Sequence, residues 1–450
     1  MTERLVVLGG DAAGMSAASQ ARRRTSADDL EIIALEKGSW TSYSACGIPY
    51  LVAGDVGELD DLVARTPEQH RANGIEVRLG NEAMSIDLDG RRVEVRDHAD
   101  GTTYWLDFDI LHIATGARPT RPPIEGIDLP FVHAVQTLDH AAHLLDHAGR
   151  SDLRDVVVVG GGYIGLEMAE AFHKRGQHVT IVEALPQVMS TLDPDMGALV
   201  GEAARAMGID VRVEERVEGF SPGAVHTAGG DVRADLVVLG LGVQPNSAIA
   251  AEAGIETGAH RAVRVDRRQR TSKDGVWAAG DVCESFHRVS RRHMHIALGT
   301  VANKQGRVAG INIGGGYASF PGVVGTAVSK LCDLEVARSG LQEREAQQAG
   351  FDYVVAKIES TTKAGYFPGT SPMTLKMLAE KRSGRLLGAQ IVGREGSAKR
   401  IDAIATALTA EMTVEEMTGL DLSYAPPFAP VWDPILVAAR KCAELLEGEP

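Results

Sequence analysis

One local pattern constrains this chain more than any other, and it occurs twice: an apolar run, a turn of closely spaced glycines, and a small-residue stretch with helical period. The second copy, "DVVVVGGGYIGLEMAEAFHKRGQHVTIVEALP" (155–186), has Gly160, Gly162 and Gly165 in full GxGxxG spacing, with Tyr163 and Ile164 opening the helix. A strand that turns through glycine into a helix lets the backbone approach a pyrophosphate and aims unpaired helix N–H groups at its charge. The next strand ends in Glu183, which can accept from an adenosine ribose 2'-hydroxyl and would repel a 2'-phosphate. NADH is therefore favoured over NADPH, although Arg175 and His178 lie close enough in sequence to weaken that exclusion. The first copy, "RLVVLGGDAAGMSAASQARRR" (4–24), places Gly9, Gly10, Ala13 and Gly14 at the turn but Asp11 at the middle glycine position. Its following strand ends in Glu36 and Lys37, and Glu36 is 22 residues beyond Gly14.

At 450 residues the chain has room for two or three domains. Apolar strands closing in Gly or Pro turns follow at "ILHIATGARPTRPPIEG" (110–126, with Thr115 and Gly116), "ADLVVLGLGVQPNSAIA" (234–250, with Gly242) and "TSKDGVWAAGDVCE" (271–284, with Gly280 and Asp281). The Pro-rich stretch 119–130 reads as a crossover between domains. The expected fold is α/β: two Rossmann-like three-layer dinucleotide-binding domains, the second (119–243) inserted into the first (1–118 and 244–320). An α+β domain follows (321–450), whose strand-like and helical segments need a further surface such as a dimer partner.

The formal charge of −15, from 61 acidic and 46 basic side chains, argues against nucleic acid as the main partner. No apolar run reaches the roughly 18 residues of a membrane span, and the polar start lacks a secretory pattern, so a cytoplasmic location is expected. The four cysteines, Cys46, Cys283, Cys332 and Cys442, are widely separated and form no CxxC. His287, His293 and His295 have no strong metal spacing either, and no metal is expected.

Taken in order, the two fingerprints, "ATGARP", "GVQPN" and "VWAAGDV" resemble the two-dinucleotide-fold FAD and NAD(P)H disulfide reductases over nearly the whole chain. Within "SWTSYSACGIPYLVAG" (39–54) the resemblance points to the single-cysteine members, because Leu51 stands where lipoamide and glutathione reductases have a second cysteine. It implies FAD, with Glu36 on the adenosine ribose and Asp281 on the ribityl chain; the duller reading of Asp281 is the cap of a helix beyond "AAGD". Ala297, in "HIALG", falls with the cofactor contacts. Tyr163 would cover the nicotinamide pocket, with Glu167 orienting it.

The nearest subfamily is the coenzyme A-disulfide reductases, with related persulfide and polysulfide reductases. Cys46 is then the nucleophile, and Gln20, Arg23, Ser42, Ser44 and Asn303 match positions near coenzyme A. Tyr366 and Tyr424 match a tyrosine pair that reaches the other subunit's site in a homodimer. Two departures are Ala45, where the family often has asparagine, and "SRRHMHIALG", whose Arg291, Arg292, His293 and His295 precede a site usually marked by proline. Two other readings stay open: an NADH oxidase or peroxidase cycling Cys46 through a sulfenic acid, disfavoured because Ala12 replaces its histidine, and a flavin-bearing redox sensor or scaffold.

Overall fold

The computed structural model describes residues 2–448, and each glycine unit heads a five-stranded parallel sheet of its own. The first sheet runs Val276–Ala278, Ile110–Ile113, Glu3–Leu8, Leu30–Glu36, Glu76–Leu79 in spatial order. Its central strands, Glu3–Leu8 and Leu30–Glu36, carry buried apolar runs because both faces are covered. On one face, helices Ala12–Arg22 and Gly299–Ile313 touch backbone to backbone. A Cβ at Gly306 or Gly310 would lie 2.2 Å from the carbonyl oxygen of Ala13 or Ala17. On the other face Val93, Val95 and Leu106, from a three-stranded antiparallel meander, close over Val6, Leu8 and Ile33.

The second sheet repeats the plan with Asp210–Arg212, His178–Val182, Asp155–Val159, Leu236–Leu239 and Val132–Ala134. One face packs against helices Tyr163–Lys174, Pro194–Ala206 and Leu138–Ala148, the other against a second meander through Val217, Phe220, Val225 and Val232. The chain crosses between the sheets along paired antiparallel strands Ala117–Pro119 and Val243–Pro245. The short helix Ile48–Ala53, directly after Cys46, buries Ile48, Leu51 and Val52 in the helical core of the second unit. Cys46 is thereby anchored between the two nucleotide folds.

Residues beyond 326 form a five-stranded antiparallel sheet ordered Ala327–Leu331, Leu334–Gly340, Leu386–Gly393, Pro372–Glu380, Tyr353–Thr361, with Ile401–Thr409 and Pro434–Glu447 packed on it. The α/β expectation holds, with this α+β unit at the C-terminus. A buried polar clamp ties the unit to the second Rossmann fold. The Gln390 side chain receives the Asp193 N–H at 2.7 Å and donates to its carboxylate at 2.6 Å, and Lys376 Nζ lies among Asp193, Asp195 and Glu343. In one respect the sequence reading fails: no helix follows "AAGD". The hairpin Glu284–His287/Arg292–His295 stands there, and the helix waits until Gly299. No helix among the described residues is long and apolar enough to cross a membrane.

Candidate active site

At the first fingerprint Gly9 leaves its strand with φ +115°, and an added Cβ would lie 2.1 Å from the Ala114 carbonyl oxygen. Gly14 is equally closed, 1.9 Å from Gly9 O. The Gly10 N–H donates to Glu36 Oε2 at 2.9 Å while Glu36 Oε1 accepts from Gly38 N–H at 2.8 Å, which fixes the carboxylate at the end of its strand. Lys37 is exposed beside it. Gly280 leaves no room for a Cβ against Ala13. Thr115 Oγ donates to Asn246 O at 2.8 Å, and Gly116 O accepts the Asn246 N–H, so the "ATG" and "QPN" segments lock together where the chain crosses; Gly242 O receives Thr120 N–H.

Two more carboxyls lie at this cradle, Asp281 and Asp11. Asp281 has a buried Oδ1 with no hydrogen bond, and burial raises its pKa to about 6. Asp11, at the middle fingerprint position, accepts from the Tyr43 N–H at 3.2 Å. Burial, with Glu36 and Asp281 nearby, holds its pKa up to about 7 against that hydrogen bond. A carboxyl that is easily protonated can sit beside a pyrophosphate, so the Asp11 departure is compatible with FAD, and the orphaned Asp281 oxygen suits a ligand hydroxyl. Ala297 is half-buried between the hairpin and the helix beginning at Gly299.

The second fingerprint repeats the geometry. Gly161 N–H donates to Glu183 Oε2 at 2.7 Å, and Leu185 N–H to Oε1 at 2.8 Å. Gly160 and Gly165 are sterically closed, whereas a Cβ on Gly162 would meet nothing within 4 Å. Protein packing does not require glycine at 162. The buried Tyr163 hydroxyl has no hydrogen-bond partner, and Ile164 is half-buried beside it. Glu167, one turn on, accepts from Ser329 Oγ of the C-terminal sheet at 3.0 Å, and burial raises its pKa.

Cys46 lies in a single 3₁₀ turn, Ala45–Gly47, leading into the helix Ile48–Ala53 with Pro49 in its first turn. It is exposed and unpaired. Protein packed around it still desolvates the thiol, and Glu167, Asp281 and Asp11 add negative charge, so its pKa is raised in the protein alone. The helix N-terminus does not by itself produce a thiolate. Leu51 is packed in the core, and Cys283 is buried under the first sheet. The loop ahead of Cys46 is pinned by Ser42, whose backbone has φ +50°. Its N–H donates to Gly10 O at 3.2 Å, its carbonyl accepts from Ala64 N–H at 2.8 Å, and its Oγ lies 2.9 Å from His70 Nε2. Ser44, exposed, donates its N–H to Leu62 O.

His70 also lines a cavity of about 410 Å³ with Ser19, Arg22, Arg23, Arg65 and Asn73. The three arginines of "QARRR" divide their work. Arg22 binds backbone carbonyls including Gly74 O and Ser26 O, Arg24 binds Gln20 Oε1, and Arg23 stays exposed toward the cavity. Gln20 is thus turned to Arg24, and Asn303 is held by Ser16 and Gly299. Tyr366 and Tyr424 are 77% and 47% exposed and lie side by side; slight desolvation and the Tyr366 hydroxyl raise the Tyr424 phenol. Their loops are joined by Ala364 N–H to Pro426 O and by Arg400, which donates to Thr362 O and Phe428 O at 2.8 Å each. Sequence reasoning missed His70, Arg65 and Arg400, since nothing local marks them.

These folds and this single exposed cysteine define a two-nucleotide redox protein. The family described as pyridine nucleotide-disulphide oxidoreductase matches residues 3–306, and its dimerisation domain matches 326–434. The chain belongs to that family, whose members work with FAD and a nicotinamide dinucleotide. It is 38% identical over 444 residues to the NAD(P)H sulfur oxidoreductase (CoA-dependent) of Pyrococcus furiosus, covering 97% of this chain and 98% of that one. Identity to a coenzyme A disulfide reductase of Staphylococcus epidermidis is 28% over 429 residues, 95% of this chain and 96% of the other. The structure of a NAD-dependent persulfide reductase from A. fulgidus superposes with a TM-score of 0.95 at 38% identity, over 99% of this chain and 84% of that one.

Proposed function

We propose that this chain is an NADH-dependent flavoprotein reductase of coenzyme A disulfide or a related persulfide or polysulfide, acting through a mixed disulfide at Cys46. The observation that carries the proposal is the exposed, unpaired Cys46 with a packed Leu51 in the second-cysteine place, on a loop tied through Ser42 and His70 to an arginine-lined cavity. FAD, when bound across Gly9, Gly10, Gly14, Glu36, Gly280 and Asp281, supplies the group that takes a hydride from NADH and passes two electrons on.

The chain's own residues do the rest. The Cys46 thiolate attacks one sulfur of the disulfide, forming a mixed disulfide and releasing one coenzyme A thiolate; two electrons and one proton then release the second thiol and restore Cys46. Arg23 and Arg65 hold the phosphates of the thiol substrate by charge-assisted hydrogen bonds. Tyr366 and Tyr424 of a second subunit supply hydroxyls beside the leaving sulfur. Glu183, both of whose oxygens already accept backbone N–H groups, meets a 2'-hydroxyl more favourably than a 2'-phosphate, which supports NADH. The domain limits 1–118/244–320, 119–243 and 321–450 suit this division of labour, and a cytoplasmic, reducing location suits a thiol-recycling enzyme.

The oxidase or peroxidase reading loses support because Ala12 brings no acid–base group to the fingerprint helix. Assaying NADH consumption with coenzyme A disulfide, coenzyme A persulfide, polysulfide, peroxide, and oxygen alone tests the proposal. Turnover with a coenzyme A-linked or sulfur substrate well above the oxygen and peroxide rates is expected; equal or faster turnover with oxygen or peroxide overturns it.

A further inference from the structure

The serine loop ahead of Cys46 and the arginine-lined cavity meet at His70. Ser44 N–H donates to Leu62 O, Tyr43 bridges to Val63, and Ser42 O accepts from Ala64 N–H. The approach to Cys46 therefore runs antiparallel to the segment that ends in Arg65. Thr66 then caps the helix Pro67–Ala72 through a reciprocal pair with Gln69. His70 donates its N–H to Thr66 O at 3.2 Å, and its carbonyl accepts from the N–H groups of Asn73 and Ile75 at 3.0 and 3.1 Å. Ser42 is held as firmly, with φ +50° and both backbone groups bonded. With the two backbones fixed, the 2.9 Å contact between Ser42 Oγ and His70 Nε2 keeps two freedoms, the hydroxyl rotor and the ring proton.

The other ring nitrogen is unclaimed. His70 is 1% exposed, and its Nδ1 has no hydrogen-bond partner among the described residues. The ring borders the cavity, so that is where a partner for Nδ1 can enter. Arg22, Arg23 and Arg65 line this cavity and no carboxylate does. Arg22 is committed to backbone carbonyls, whereas Arg23 and Arg65 have no hydrogen bond or ion pair among the described residues. Such a surface suits an anion that accepts from both. Burial, and then the Arg65 charge, hold the His70 pKa below its ordinary value, so the ring is neutral and carries one proton. What each nitrogen faces decides which one carries it. Facing guanidinium groups, which only donate, Nδ1 keeps its lone pair and Nε2–H donates to Ser42 Oγ. A phosphate oxygen reverses both bonds: Nδ1–H donates to it, and Ser42 Oγ–H donates to Nε2.

We propose that His70 is a positioning residue that reads phosphate in this cavity and sets the direction of the Ser42 hydroxyl, on the loop that presents Cys46. This role rests on the proposed use of the cavity by a phosphate-bearing disulfide, and it has the phosphate sensed as well as held. The ring stays neutral, losing a proton from Nε2 to water as it gains one at Nδ1. With its hydrogen turned to the ring, the Ser42 oxygen is left as an acceptor for an amide N–H of the substrate. A disulfide without phosphates leaves the hydroxyl turned the other way.

Nitrogen NMR of the FAD-loaded, histidine-labelled protein reads the ring directly, with adenosine 3',5'-bisphosphate as a probe that carries phosphates and no sulfur. The His70 signals, assigned by their loss in His70→Gln, should place the proton on Nε2 in the free protein and on Nδ1 with the probe. The probe concentration needed should rise about tenfold or more in Arg65→Ala. A probe that does not bind, a proton that stays on one nitrogen, or a response unchanged in Arg65→Ala overturns the role, whatever the protein reduces. Kinetics test the consequence. In His70→Phe, which fills similar space without a nitrogen, kcat should fall about tenfold more for coenzyme A disulfide than for pantethine, its phosphate-free counterpart. KM should change little, because Arg23 and Arg65 still hold the phosphates. His70→Gln, which keeps a donor and an acceptor, should restore most of the loss. Ser42→Ala cuts the same bond from its other end and should show the same substrate difference, should the phenylalanine variant not fold. Equal losses with both disulfides, or a rise in KM alone, overturn the positioning role; reduction of neither disulfide by the wild type would instead sink the proposed substrate and leave the NMR result standing.

Discussion

Cys46 shows how far one side chain can be read alone. Its exposure and lack of a partner are facts of the fold, but in the bare protein its pKa is raised, so reactivity has to come from groups that bind beside it. Cys46→Ser is expected to keep its yellow colour and its bleaching by NADH while disulfide turnover falls by about a thousandfold or more, as for removal of a nucleophile; unchanged turnover would rule out the mixed disulfide. Asp11 gives a pH signature. Its pKa stands at about 7 against an ordinary 3.8, so the folded FAD-free protein holds this proton more tightly than the unfolded chain. That protein therefore loses stability as pH rises from about 4 to about 7, by an amount on the order of a few kcal/mol. Asp11→Asn should raise the denaturation midpoint of the FAD-free protein at pH 8 and leave it nearly unchanged at pH 4; an equal shift at both values would remove ionisation as the cause.

At the scale of elements, the glycine turns separate what packing demands from what a ligand demands. Gly165→Ala drives a Cβ to 2.0 Å from Gly160 O and is expected to cost at least about 1–3 kcal/mol, as overpacking does, or to prevent folding. Gly162→Ala meets no protein atom and has φ −79°, which alanine adopts readily. It should leave the unfolding midpoint almost unchanged while weakening NADH binding by about tenfold or more, near 1.4 kcal/mol. Comparable thermal losses in both variants would show that glycine 162 is structural. Both turns, the strands feeding them and the C-terminal sheet were legible in the sequence because their signals are local: apolar runs, glycine spacing, and an acid at a strand end. The hairpin after Asp281 was misread as a helix because "AAGD" ends in a good cap residue while the pairing of Glu284 with His295 lies across the chain. His70, Arg65 and Arg400 were invisible for the same reason, since each acts on a partner brought close only by tertiary folding. The clamp at Lys376, 4% exposed at its side chain, was hidden too: Lys376→Met should cost about 3–5 kcal/mol by leaving Asp193 buried without its cation, read as a lower denaturant midpoint.

At the scale of the whole molecule, the question is what covers the C-terminal unit. Phe428, Val431 and Trp432 are 74%, 65% and 56% exposed, and with Tyr366 and Tyr424 they are large apolar side chains left to water on this unit. The dimerisation domain matched over 326–434 suggests a homodimer, and the proposed mechanism needs a partner that brings each tyrosine pair to the other chain's cysteine. Mixing two disabled chains decides whether the sites are shared. Cys46→Ser alone should be inactive as a disulfide reductase, and Tyr366→Phe/Tyr424→Phe should lose about 10²–10³ in turnover if the hydroxyls act on the leaving thiol. When the two are co-expressed with different tags and the heterodimer is isolated, one site combines Cys46 from the Tyr366→Phe/Tyr424→Phe chain with both tyrosines from the Cys46→Ser chain. Such a heterodimer should recover about half the turnover of the intact dimer, since one of its two sites is whole. If the tyrosines instead served the cysteine of their own chain, every site in the heterodimer would lack one component and it would remain as inactive as its parents.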